Sequence, residues 1–189
     1  MNRIGIYGGT FDPIHHAHLI LAREALEKLG LDEVVFVPAA ISPHKLEHVP
    51  APGAARVEML AAAIADEARF RLDELELHRP PPSFTIDTVE AFRQSKPGAE
   101  MYYLIGSDNL PRVHTWRRFD DLQRLVRFVV LTRGREIPPC DYLLIQRQVD
   151  ISATDIRNRV ATGRSIRYLV PSAVQQVIRR QQLYKEPTR

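Results

Sequence analysis

The stretch Gly8-Gly9-Thr10-Phe11-Asp12-Pro13-Ile14-His15-His16-Ala17-His18 gathers two glycines, a proline and three histidines. Three chemistries are open to it. His15 and His18 are three apart and can share a helix face, as metal ligands would. A zinc site needs further ligands, however, and the sequence has no HExxH pattern and no cysteine nearby. A cluster of structurally satisfied histidines is the second reading. The third uses position: the stretch follows the apolar run Ile4-Gly5-Ile6-Tyr7 and leads into a helical pattern. A Gly-Gly turn lets backbone approach a phosphate, and a helix N-terminus offers unpaired N–H groups and partial positive charge. Imidazoles there can donate to phosphate oxygens and offset charge built up in phosphoryl or nucleotidyl transfer. The pattern is neither GxGxxG nor GxxxxGK[ST].

The elements that must position this stretch alternate between strand and helix. Residues 4–7 read as a buried strand and 18–30 as a helix stopped by Gly30. Residues 33–38 form a second buried strand, 39–53 a long loop with Lys45, 53–66 a helix, and 68–77 mainly strand. After a proline-rich loop at 78–84, Thr85 reads as the N-cap of a helix. A strand at 100–109, a helix at 115–126 and strands at 127–133 and 142–146 follow. A capped short helix at 152–163 and a closing helix at 171–183 end the pattern. Apolar strands separated by helices predict an α/β fold, a Rossmann-like three-layer α/β/α arrangement with a mostly parallel sheet. No repeat or linker divides the chain, so residues 1–189 read as a single domain. In such sheets ligands bind beyond the carboxyl ends of the strands. The chemically loaded stretches GGTFDP, PAAISPHK and GSDN all fall at such ends.

Composition narrows the function further. The chain has 189 residues, 44% of them hydrophobic, enough for a sizeable core. No stretch is apolar and long enough to cross a bilayer, and the N-terminus lacks a secretory apolar segment. A cytoplasmic protein without a membrane partner is predicted. The lone Cys140 forms no internal disulfide. From Arg157 to Arg189 there are eight Lys/Arg and one acid, Glu186. That excess is either a solvated surface or partly faces an anionic ligand. Without interleaved aromatics or a helix-turn-helix pattern, nucleic acid is not expected as a partner. Monomer and homo-oligomer both remain open.

The opening stretch resembles the GGTFDPxHxGH segment of the nucleotidyltransferase superfamily. His15 and His18 match its two histidines, and Ala17 stands where the superfamily has glycine, which places an extra Cβ near the phosphates. Ser152-Ala153-Thr154-Asp155-Ile156-Arg157 resembles the second motif, SSTxIR, with Ala153 replacing a serine. Pro43-His44-Lys45, Arg56 with Met59, the run from Pro82 to Thr88, Gly106-Ser107-Asp108-Asn109 and Thr115-Trp116 follow in order. That order resembles the bacterial nicotinate-nucleotide adenylyltransferases, over residues 3 to 184.

The resemblance implies adenylyl transfer from ATP to nicotinate mononucleotide, giving deamido-NAD and pyrophosphate. His15, His18, Lys45 and Arg157 would be the catalytic set. Gly8, Gly9, Thr10 and Phe11, with Ser152, Thr154 and Ile156, would bind ATP. Phe84, Thr85, Asp108 and Trp116 would bind nicotinate mononucleotide. Trp116 can stack on a pyridinium ring or serve as a core residue. Asp108 can bond ribose or cap a helix, and Asp12 is either an indirect contributor or an Asx-type turn. The N–H at Thr85 would favour a carboxylate over an amide. Mg²⁺ would arrive with ATP, and no dedicated protein metal site is expected. The attacking phosphate is already anionic, so no strong general base is required. Nicotinamide mononucleotide or another phosphorylated acceptor is the alternative.

Overall fold

Strands built from nearly unbroken apolar residues are stable only when both of their faces are covered. The computed structural model, which describes residues 2–40, 49–135 and 139–185, meets that demand with one six-stranded, all-parallel sheet. The strands are β1 (Arg3–Gly9), β2 (Glu33–Pro38), β3 (Phe70–Leu72), β4 (Glu100–Gly106), β5 (Arg127–Thr132) and β6 (Leu143–Gln146). Their spatial order is β3-β2-β1-β4-β5-β6. Connectivity reverses between β1 and β4, the Rossmann-like switch point at which a crevice opens.

Side-chain alternation along each strand divides the core in two. Tyr7, Phe36, Leu104 and Val129 point to one face, beneath α1 (His16–Lys28), α2 (Gly53–Ile64), α5 (Ala153–Ala161) and α6 (Ser172–Arg180). Ile6, Val35, Met101, Tyr103 and Val130 point to the other, beneath α3 (Thr85–Ser95) and α4 (Phe119–Leu125). Each large side chain fully buried in this way contributes about 1.5–3 kcal/mol. Among the described residues, no helix is long and apolar enough to cross a membrane.

Five elements differ from their sequence patterns. Helix α1 starts at His16, two residues before its apolar periodicity begins, and His15 becomes its N-cap. Its stop is as expected, with Gly30 in the left-handed region at φ 59°. Helix α3 is capped by Phe84, and Thr85 is its first helical residue, without a side-chain cap bond. Strand β4 ends at Gly106, after which Ser107–Thr115 coils as 3₁₀ helix around Pro111. Helix α4 begins late because Arg118 takes φ 54°, with its guanidinium on Glu90 and Asp121. The 68–77 stretch pairs only over Phe70–Leu72, at the sheet edge.

Gly8 is required by close packing across the switch point. A Cβ there would run into the hydroxyl of Tyr103, which is buried beneath β1. Gly8→Ala should therefore destabilise the fold by about 1–3 kcal/mol. Tyr103→Phe in the same chain should recover part of that loss, as denaturant unfolding of both variants would show.

Candidate active site

The turn after β1 is held by buried cations acting on its backbone. Arg56, 2% exposed, donates from Nη1 to the carbonyls of Thr10 (2.9 Å) and Ala39 (2.7 Å), and from Nε to Ala51 O (2.9 Å). Arg157 reaches the same turn from α5, donating from Nη1 to Asp12 O at 2.8 Å. Its Nη2 donates to Thr154 Oγ1 at 3.3 Å. The Asp12 carboxylate is buried beside them. Its Oδ2 lies 4.0 Å from Arg157 Nη1, and its Oδ1 accepts from Ala51 N–H (3.2 Å) and Tyr184 O–H (2.6 Å). Both of these Oδ1 donors are remote in sequence, so Asp12 ties the turn to the rest of the chain. Phe11, at φ 48°, occupies a conformation that costs a non-glycine residue about 1–3 kcal/mol. Its buried ring, edge-on to Tyr7 and His18, offsets that strain.

At the N-terminus of α1 the two motif histidines stack, ring centroids 3.7 Å apart. His18 Nδ1 accepts the N–H of His15 at 3.3 Å, so a neutral His18 carries its proton on Nε2. His15 is 1% exposed, and its Nδ1 has no hydrogen-bond partner among the described residues. Burial, together with the charge of Arg133, pushes its pKa down to about 3. The ring is therefore neutral near pH 7, and stacking the pair brings no charge repulsion.

Two cavities meet along Gly8, Gly9 and Thr10. The larger, about 490 Å³, is lined by Phe11, His15, His18, Ser152, Thr154 and Arg157. It draws on both sequence motifs, which lie far apart along the chain. Asp108 lines this cavity too, on the opposite side of the glycine wall from the aromatic group with which it was placed. The N-terminus of α5 opens here, capped by Ser152, whose Oγ accepts Asp155 N–H at 3.1 Å. The smaller cavity, about 310 Å³, is lined by Phe84, Thr85 and Trp116, with Tyr103, Glu76 and Arg117. Trp116 packs edge-on against Tyr103 and Phe128 while bounding the cavity, so it serves core and wall together. Arg117 Cζ lies 4.8 Å over the Phe84 ring.

Two of the expected residues lie away from both cavities, and a third falls outside the described residues. Ile156 lines neither cavity: its side chain is fully buried in the core, and its N–H is taken by Ser152 O at 3.1 Å. Ala17 is helical and fully buried, and it lines neither cavity, so its Cβ packs in the core and adds no bulk to the larger cavity. Lys45 lies outside the described residues.

Sequence reasoning missed several wall residues. Arg133, just past β5, lines the larger cavity. It stands at a strand's carboxyl end, the place where a ligand-facing cation belongs, but reads as part of the strand. Glu76 is 5% exposed and accepts Thr88 Oγ1–H at 2.6 Å. Burial raises its pKa despite the hydroxyls of Thr88 and Ser83. Nothing in its local pattern marks it.

Residues 6–159 match the cytidylyltransferase-like family. A protein of Shouchella clausii named "Probable nicotinate-nucleotide adenylyltransferase" is 43% identical over 187 residues, covering 97% of each chain. A Thermus thermophilus protein of the same name is 43% identical over 187 residues, covering 97% of this chain and 100% of its own. The solved structure of Plasmodium falciparum nicotinic acid mononucleotide adenylyltransferase complexed with NaAD superposes with TM-score 0.83 at 21% identity, covering 98% of each chain. The latter likeness shows the fold.

The state of His15 sets a pH dependence of stability. Its folded pKa, about 3, lies below the ordinary 6.5, so the unfolded chain binds the extra proton between these values. The contribution of neutral His15 is intact above pH 6.5 and is lost as pH falls toward 3. Acidifying from pH 7 to 5 should cost the native protein roughly 1–2 kcal/mol more than a His15→Asn variant. Denaturant midpoints at the two pH values measure the difference.

Proposed function

Because the chain belongs to the cytidylyltransferase-like family and, within it, to the nicotinate-nucleotide adenylyltransferases, we propose that it transfers the adenylyl group of ATP to nicotinate mononucleotide, releasing pyrophosphate. The observation that carries the reading is the pair of cavities sharing the Gly8–Thr10 wall. One is rich in anion donors and the other in aromatic surface. Two nucleotides lodged in them would bring their phosphates together over the clamped backbone turn at the head of α1. That is what joining them through a pyrophosphate bond requires.

In this reading the triphosphate occupies the larger cavity. His15 and His18 donate N–H groups to its oxygens, with the N–H groups of Gly9 to Phe11 and the N-terminus of α1 alongside. Ser152, Thr154 and Arg157 hold the departing pyrophosphate at the N-terminus of α5, and Arg133 adds a further cation to the same wall. Lys45, which lies outside the described residues, joins the cationic set on the sequence resemblance alone. Asp108 stands where a ribose hydroxyl could bond it. The acceptor's phosphate is anionic and attacks the α-phosphorus in line, while the site stabilises charge on the bridging and leaving oxygens. Mg²⁺ would enter with ATP, held chiefly by phosphate and water, and Asp12 and Asp108 are carboxylates on that cavity's wall.

The pyridine ring fits the smaller cavity, stacked on Trp116 beside Phe84. The N-terminus of α3 at Thr85 and the guanidinium of Arg117 border that pocket, and burial raises the pKa of its Glu76 carboxyl toward the neutral form. A nicotinate carboxylate gains from the two donors and a neutral amide does not.

Pyrophosphate release from ATP should depend on the added pyridine mononucleotide, with the acid giving the higher kcat/KM; an amide preference would reverse the substrate assignment. His18→Ala should lower kcat roughly 10²–10³-fold with only a modest fall in melting temperature. A near-normal kcat would remove His18 from the phosphate site.

A further inference from the structure

Tyr184 stands at the far end of the fold from the motifs in sequence, yet its hydroxyl is 2.6 Å from Asp12 Oδ1, across 172 residues. Its ring packs against the core face that carries α1, α2, α5 and α6, beside Leu183. Asp12 in turn faces Arg157 through Oδ2 at 4.0 Å, while the Arg157 guanidinium donates to the Asp12 carbonyl and to Thr154. A direct ion pair would bring those charged groups to about 2.7–2.9 Å. At the observed spacing the two groups line the larger cavity side by side.

The geometry points to Tyr184 as a positioning residue for the phosphate site: by donating to Asp12 Oδ1, it keeps the carboxylate from taking the Arg157 guanidinium in place of a phosphate. The inference rests on the reading that Arg157 serves ATP phosphates. Burial and the neighbouring Asp12 charge raise the Tyr184 pKa, so the hydroxyl stays a donor throughout the neutral range. Ala51 N–H donates to the same oxygen at 3.2 Å. Without the tyrosine O–H, the carboxylate has less charge neutralised from that side. It then competes better for Arg157, at the expense of the triphosphate.

Tyr184→Phe keeps the ring and removes only the donor. It should raise KM for ATP roughly 3- to 10-fold. KM for nicotinate mononucleotide should stay within about twofold, because the other cavity is untouched. Leu183→Ala loosens the same segment without touching Asp12, and should lower the melting temperature while leaving KM for ATP in place. In an Asp12→Asn background, Tyr184→Phe should add nothing to KM for ATP, since the charge through which it acts is gone. An unchanged KM for ATP in Tyr184→Phe overturns the proposal, as does an equal rise in both KM values or a full additional effect in the Asp12→Asn background. Arg157→Ala separates this from the premise. If that variant leaves KM for ATP unchanged, the phosphate reading itself fails; if it raises KM while Tyr184→Phe does not, only the role of Tyr184 fails.

Discussion

A carboxylate and two guanidinium groups, all withdrawn from water, surround the turn after β1, and their mutual satisfaction keeps that turn in one shape. Asp12, Arg56 and Arg157 come from three separate segments, and none is more than 9% exposed. Buried charges of this kind add little net stability, since desolvation cancels much of the attraction, but removing one partner typically costs about 3–5 kcal/mol. Their value is conformational. Arg56 occupies the carbonyls of Thr10 and Ala39, and Arg157 that of Asp12, so the carbonyls of this turn are engaged from behind. The N–H groups and the two histidines are left as the chemistry of the exposed side.

The sheet supplies the setting for this arrangement. With β1 and β4 adjacent and their connections diverging, the turn after β1 and the 3₁₀ segment after β4 flank one crevice. The near-absence of side-chain bulk at Gly8 lets Tyr103 of β4 pass beneath the turn and form the floor of the smaller cavity. One backbone segment thereby becomes a wall for two ligands. The division of labour between anion donors and aromatic surface follows from which strand ends and helix starts abut each side.

The parts of this organisation that show in sequence are those carried by local patterns. Strand runs such as residues 33–38 and 127–132, the capped α5 with Ser152, and the glycine stop of α1 need only a few neighbouring residues to define them. The motif residues were legible because their types are rare and their spacing matches a resembled pattern. What stayed hidden depends on distant partners. The early start of α1, at His16, is set by the stacking of His15 on His18 and by the N–H of His16 meeting Leu169 O. The short α4 depends on Arg118 finding Glu90. Ile156 sits in a motif yet spends its side chain on the core, because in a short amphipathic helix one face must be buried. Arg56, Glu76 and Arg133 read as ordinary charged residues until the fold takes them out of water or turns them into the crevice.

The bond between Tyr184 and Asp12 also bears on when the site becomes whole. A chain made from its N-terminus presents the glycine turn and both histidines early, but the central strand β1 lacks its β4 neighbour until residues 100–106 have been made. Asp12 lacks its tyrosine donor until residue 184 has left the ribosome. At about 5–20 residues per second, roughly 10–35 s separate the synthesis of the two. For that interval the nascent chain carries the phosphate-binding sequence without the architecture that shapes it, and synthesis of the closing helix, followed by Tyr184, is what completes the site.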